Sequence, residues 1–187
     1  PCTVLDLAAP GGTGIVATFS ALLDTAAGRL TVTAVLELLE CPALRRRFGL
    51  AAGDVERVHA WARDTGIRWG LDAGHRAALG LPAEAANTWR AGLDALLLGY
   101  ATGPGTGPAA GILPWPEVEG DGARVLGALA RLVELLARLG RQLAAEATPA
   151  AWLELLQELP ARCFTPALEE DAEIATLREA IAATGEA

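Results

Sequence analysis

The residues able to do chemistry are few, and their spacing excludes more than it allows. The 187-residue chain has no lysine, no methionine and one serine, Ser20. Without lysine there is no phosphate loop of the G-x-x-x-x-G-K-[ST] type and no Schiff-base nucleophile, so ordinary ATPase or GTPase chemistry is excluded from these residues. Ser20 stands in Phe19-Ser20-Ala21, within an apolar helical pattern and without the G-x-S-x-G turn that exposes a hydrolase nucleophile. Cys2, Cys41 and Cys163 are widely spaced, with no C-x-x-C pair, and His59 and His75 are 16 residues apart. Neither a zinc site nor a disulfide framework is expected, and the thiols read as reduced cysteines of a cytosolic protein. Asp72 and Asp94 with Arg90 form the one carboxylate–arginine set worth weighing as a hydrolytic centre, and carboxylate pairs of that kind are too common to carry it. No catalytic residue, metal or cofactor is assigned.

The remaining chemistry is charge. All 15 cations are arginine, set against 23 acidic residues, for a formal charge of -8. Between Arg45 and Arg90 there are eight arginines and five acids, a local balance of +3. The remaining seven arginines face eighteen acids, a balance of -11. A free duplex-binding module draws its affinity from phosphate neutralisation and is normally basic throughout, so this chain is not one. The densest cluster, Arg45-Arg46-Arg47, closes a short helix, where cations complement the helix dipole. It is also a candidate contact for phosphates or for an acidic partner. Arg68, Trp69 and Arg76 in the first glycine-rich connection, Trp89 and Arg90 in the next segment, and Trp115 between two prolines complete the set of DNA- or partner-contact candidates. Each has a bland alternative as a packing or helix-capping residue. The acidic helices from Gly122 onward are expected to form a far face or another protein contact.

These side chains must be carried by helices. Alanine and leucine make up 71 residues and the apolar fraction is 52 %, which excludes disorder. No apolar run reaches the roughly 20 residues of a membrane span. The periodicity predicts a helix opened by Thr13 and stopped by Gly28, with Ile15, Val16, Phe19, Leu22, Leu23 and Ala26 on one stripe. Thr31 caps the next, and Pro42 starts a short one ending at Gly49. Asp54 is expected to cap a helix ending at Gly66, and Asp72 a short one through Leu79. Asn87 is expected to open a helix to about Gly99 with Trp89, Leu93, Leu96 and Leu97 inward. Residues 101–111 read as a flexible loop and 112–116 as an extended, proline-bounded segment. The longest helix is predicted over Gly122 to Glu146. Thr148-Pro149 opens one through Leu159, and Thr165-Pro166 repeats the device before a last helix with Ile174, Leu177 and Ile181 inward. Thr3 to Leu7 allows one strand. The reading is an all-α chain of eight or nine helices forming a single helical domain over 1–187. Its start, Pro1-Cys2-Thr3-Val4-Leu5-Asp6, has neither an initiator methionine nor a signal-peptide pattern, and reads as a cut into a longer protein.

Three long blocks carry a resemblance. They are Cys41-Pro42-Ala43-Leu44-Arg45-Arg46-Arg47-Phe48-Gly49-Leu50, then Gly66-Ile67-Arg68-Trp69-Gly70-Leu71-Asp72-Ala73-Gly74-His75-Arg76, then Asn87 to Tyr100 beginning Asn87-Thr88-Trp89-Arg90. Together with Gly111-Ile112-Leu113-Pro114-Trp115 and Val118-Glu119-Gly120, they resemble the gamma-chain family of bacterial exodeoxyribonuclease V, the RecC subunits of the RecBCD helicase–nuclease. The likeness runs from about Phe19 to Phe164. It implies a non-catalytic subunit with helicase-like domains lacking a working ATP site, which holds RecB-like and RecD-like motor subunits and helps to split DNA and scan one strand for the Chi sequence. By analogy this piece corresponds to the helical accessory region of a superfamily 1 helicase-like fold, with Thr3-Val4-Leu5 as a residual strand. No Chi-reading residue carries over. Two alternatives stand beside it: a free-standing α-helical protein-interaction module with no DNA role, and the small hydrolase weighed above.

Overall fold

The computed structural model describes residues 14–184, and these are all-helical, with no strand among them. The expected strand over Thr3 to Leu7, the opening residue Thr13 and Cys2 lie outside the described residues. In chain order the elements are α1 (Ile15–Ala27), α2 (Val32–Leu38), α3 (Pro42–Phe48), α4 (Ala52–Asp64), α5 (Ala73–Ala78), α6 (Trp89–Thr102), α7 (Gly122–Leu143), α8 (Pro149–Cys163), a 3-10 turn at Leu168–Glu170 and α9 (Asp171–Thr184).

The organising element is α7, 22 residues and about 33 Å long at 1.5 Å per residue. Val125, Leu126, Leu129, Leu132, Val133, Leu136 and Leu139 make one continuous buried face, against which α1, α3, α4 and α6 pack. The approach to α1 is close. A Cβ placed on Gly140 would lie 2.4 Å from the Ala26 carbonyl oxygen, so only glycine lets the two backbones meet there. α9 packs on α1 and α8 and buries Ile174, Leu177 and Ile181. The first and last helices of the described residues are also tied by a cap. Gly14 has no side chain to satisfy the first helical amides, and the Glu173 carboxylate accepts from the Ile15 N–H at 2.7 Å instead.

Local signals placed four of the nine α-helix starts among the described residues. Thr31, Asp72 and Thr148 accept from Ala34, His75 and Ala151 amides. Pro42 occupies the first turn of α3 and Gly49 closes it in the left-handed region. Four boundaries differ from expectation. Asp54 is not the cap of α4 but stands three residues inside it, reaching back to accept from the Ala51 N–H at 2.9 Å. Asn87 does not open α6: Thr88 does, accepting from Ala91, while Asn87 sits at φ 61°. α6 continues to Thr102, inside the predicted loop, and its Leu97 is exposed. α8 runs past Leu159 through a buried Pro160 to Cys163. Thr165-Pro166 then stays extended, and the 3-10 turn and α9 begin only at Leu168 and Asp171. Cys41 and Cys163 are free and buried, and burial pushes the Cys163 thiol up to about 12. Among the described residues no helix is long and apolar enough to cross a membrane.

Candidate functional site

Three connections meet in a backbone knot. Residues 29–32 join α1 to α2, residues 66–72 join α4 to α5, and residues 87–90 lead into α6. Gly70 N–H donates to the Arg29 carbonyl and Val32 N–H to the Arg68 carbonyl, both at 2.8 Å. Arg68 N–H donates to Asn87, Trp89 N–H to Gly70 and Arg90 N–H to Leu71, each at 2.9 Å. The Asn87 side-chain amide closes the ring on the Gly66 carbonyl at 2.6 Å. Loops with this many mutual main-chain bonds are held like secondary structure, although none of them is a strand.

The knot requires unusual backbone. Gly66 and Gly70 have φ of 72° and 83°, and Leu30 and Asn87 lie at 51° and 61°. Asparagine tolerates that region, whereas leucine does so at a steric cost of order 1–3 kcal/mol. What holds Leu30 is Trp89: its indole N–H donates to the Leu30 carbonyl at 2.8 Å, with the ring wholly buried. Gly92, one turn into α6, admits Ile67, whose Cγ1 would lie 2.2 Å from an added Cβ.

Arg76 is the buried cation of the site, 5 % exposed. Its guanidinium lies 4.1 Å from the centre of the Trp69 ring and donates to the Trp69 and Glu84 carbonyls, both at 3.0 Å; among the described residues no carboxylate pairs with it. Desolvated cation–π contact and two carbonyls take the place of an anion. Arg29 stands 5.8 Å from the same ring. Trp69 is thus half-buried on a fixed arginine, with Arg29, Arg68 and Arg90 exposed beside it in sequence and hydrogen bonding. The His75 Nδ1 accepts from the Leu71 N–H at 3.2 Å. Burial holds its imidazole below the ordinary range, although the Asp72 charge and a bond to the Gly28 carbonyl oppose the shift.

The other candidates lie elsewhere. Arg45 donates to the Leu39 carbonyl at 2.5 Å, across the end of α2. Arg46 donates to the Thr165 carbonyl at 2.9 Å and pairs with Glu170, and Arg47 donates to the Arg162 carbonyl at 3.0 Å. The cluster therefore fastens α3 to α2 and to the segment around α8, while Arg46 and Arg47 remain on the surface. Trp115 packs against the core, and its main-chain N–H donates to the Ala95 carbonyl at 2.9 Å. An added Cβ on Gly99 would lie 1.8 Å from the Trp115 carbonyl oxygen. Of the nine candidates, Arg68, Trp69, Arg76, Trp89 and Arg90 come together. Trp89 and Arg76 do so as buried supports with almost no surface of their own. Asp72 serves as the cap of α5, and among the described residues no group of three or more His, Cys, Asp or Glu side chains could hold a metal.

A second cationic system was not foreseen. α7 was expected to be acidic, yet it carries Arg124, Arg131, Arg138 and Arg141 against Glu134 alone. The acidity of the second half resides in the segment before α7, in α8 and in the C-terminal segment from Glu169 onward. Averaging over half a chain concealed this, although arginine at 124, 131 and 138 is a visible seven-residue repeat. Arg124 donates to Asp54 at 2.7 Å, to Asp121 at 2.9 Å and to the Gly49 carbonyl. At Asp54, burial works to raise the pKa; the bond to Arg124, the Ala51 amide and the charges of Arg124 and Arg57 outweigh it and hold the carboxyl below its ordinary value. Arg124 also lowers Asp121.

The fold and site define an all-helical domain whose distinctive geometry is a braced turn system presenting arginine and tryptophan, rather than an assembled catalytic set. The family model described as RecBCD enzyme subunit RecC fourth domain matches residues 13–187, and the chain belongs to that family. It is 32 % identical over 179 residues to the RecBCD enzyme subunit RecC of Escherichia coli (strain K12), covering 96 % of this chain and 16 % of that protein. It is 36 % identical over 143 residues to the RecC subunit of Mycolicibacterium smegmatis, covering 76 % of this chain and 13 % of the relative. With the RecC of Mycobacterium tuberculosis (strain ATCC 25618 / H37Rv) it shares 35 % over 136 residues, 72 % of this chain and 12 % of the relative. The chain thus spans about a sixth or less of the relatives' length.

Proposed function

We propose that this chain is a structural and DNA-handling part of a RecC-like subunit in an ATP-dependent helicase–exonuclease that acts in double-strand-break repair by homologous recombination. It performs no chemistry itself. It works as one helical unit, the accessory region of a helicase-like fold, in a cytoplasmic assembly with RecB-like and RecD-like motor subunits and DNA. The observation that carries this reading is the braced presentation of Trp69 with Arg68 and Arg90. A guanidinium surface around a half-exposed indole suits phosphate contact with base or side-chain stacking, and rigid turns supply the positioning. Arg45 and Arg46 lie apart from that surface, on α3, and offer a second contact through the donors left after their internal bonds.

The test uses the full-length subunit in its assembled complex on forked DNA. Arg68→Ala and Arg90→Ala should each lower the steepness of the salt dependence of binding by about one counterion, as expected for a lost phosphate contact. Trp69→Ala should weaken binding without changing that steepness. Unchanged DNA binding and unwinding in all three would remove the DNA role and leave a scaffold.

A further inference from the structure

The seven-residue arginine repeat of α7 borders a groove that the DNA-facing reading does not use. The groove has a volume of about 870 Å³ and lies between α3, α7 and α8. Arg47, Arg131, Arg138, Arg141 and Arg162 line its walls, and Phe48, Leu135, Leu139 and Leu159 its floor. A third of the chain's cations thus converge on one depression of a protein with net charge -8.

They are only partly neutralised from within. Glu134 is shared between Arg138 and Arg141 at 3.9 and 3.7 Å, too far for hydrogen bonds, and both arginine side chains are more than 60 % exposed. Arg162 pairs with Glu158, and Arg131 gives one donor to the Phe48 carbonyl at 3.2 Å. Five guanidinium groups against two carboxylates leave a balance of about +3 at the groove, and most of its N–H donors make no hydrogen bond among the described residues.

We infer that the groove seats an acidic amphipathic helix of a partner protein in the assembly; the inference rests on the assembly reading above and adds the partner's chemistry. Two observations favour a helix over nucleic acid. Arg131 and Arg138 on the wall, and Leu135 and Leu139 on the floor, repeat at seven- and four-residue spacings along α7, the register that a second helix laid alongside would match. The apolar floor has nothing to offer a phosphodiester chain. A polyanion with a charge every few ångströms would also meet Glu134 and Glu158 head-on, whereas discrete carboxylates can interleave with them. The occupant therefore carries apolar residues at i, i+3 or i+4 and i+7, flanked by Asp or Glu.

The test places a photo-crosslinking amino acid at the exposed Gln142, on the groove wall, in the full-length subunit within its purified complex. The expected adduct is a peptide of a partner subunit with that acidic-apolar pattern. Arg138→Glu with Arg141→Glu should weaken retention of that partner about tenfold and make it less sensitive to salt. Lysine at the partner's crosslinked carboxylates should restore it. The same double variant should leave the salt dependence of DNA binding unchanged, which separates this surface from Arg68 and Arg90. An adduct with DNA, with the same polypeptide or with a peptide lacking acidic residues, the absence of any adduct, or full partner retention in the double variant would each overturn the inference.

Discussion

The indole N–H of Trp89 donates to the main-chain carbonyl of Leu30 at 2.8 Å, across 59 residues of chain and in the buried interior. Leu30 is held there at φ 51°, where a leucine seldom rests. This one bond joins α6 to the turn between α1 and α2, and so fixes the third side of the knot that presents Trp69. A residue that reads from sequence as a candidate contact acts instead as the support for its neighbours.

Trp89→Phe keeps most of the packing but leaves a buried carbonyl without its donor. The expected cost is about 1–3 kcal/mol, read as a shift in urea midpoint at unchanged slope. Trp115→Phe is the matched control, because the Trp115 indole N–H is buried and has no partner among the described residues. It should cost clearly less than Trp89→Phe. Equal losses would mean that ring volume, not the hydrogen bond, sets the effect.

Gly99→Ala forces a methyl group into the Trp115 backbone, which cannot yield like the end of a side chain. A loss of about 1–3 kcal/mol or more is expected, with a shift in tryptophan fluorescence as the 112–116 segment is displaced. Gly53→Ala, at a helical position with open space around the added carbon, should be neutral or slightly stabilising. A neutral Gly99→Ala would show that α6 and the Trp115 segment are not in fixed contact.

Stability should fall in two acid steps. Burial lowers the His75 pKa in the fold, so the folded state favours the neutral ring. Its contribution is complete above the unfolded value of about 6.5 and is lost as the pH falls through the lower folded value. Protonation would also remove the acceptor used by the Leu71 N–H. The second step belongs to Asp54 and Asp121, whose pKa values are lowered. Their contribution is full above the unfolded carboxylate value of about 3.9 and is lost as the pH falls through the folded values. His75→Gln should abolish the first step in a pH series of denaturation curves and Arg124→Gln should shrink the second. Both steps surviving in their own variants would refute the assignment.

Where the structure agreed with the sequence, a local rule sufficed. Thr31, Asp72 and Thr148 cap helices because a side-chain oxygen beside a free amide needs no distant partner, and Gly49 ends α3 because the left-handed turn is written into one residue. The apolar stripe of α7 was equally plain. The departures came where a distant group changed a local choice. Thr88 took the cap that Asn87 was expected to supply, as Asn87 turned to bond Gly66, Arg68 and Trp69. Asp54 moved inside α4, where it meets Arg124 from 70 residues away.

By itself the sequence determined a helical chain, with one strand allowed over Thr3 to Leu7, no phosphate loop and no nucleophile elbow, and it carried the residue blocks of the RecC family. Residue type and short-range periodicity set those features, and neither depends on how the helices meet. Only the tertiary structure decided which arginines face outward and which brace the fold. It buried Arg76 and Trp89, tied Arg46 and Arg47 to the segment around α8, and gathered five arginines from three helices around one groove. The reason is physical: a charge acts through its surroundings, and these are set by residues tens of positions away that only the packed fold brings within a few ångströms.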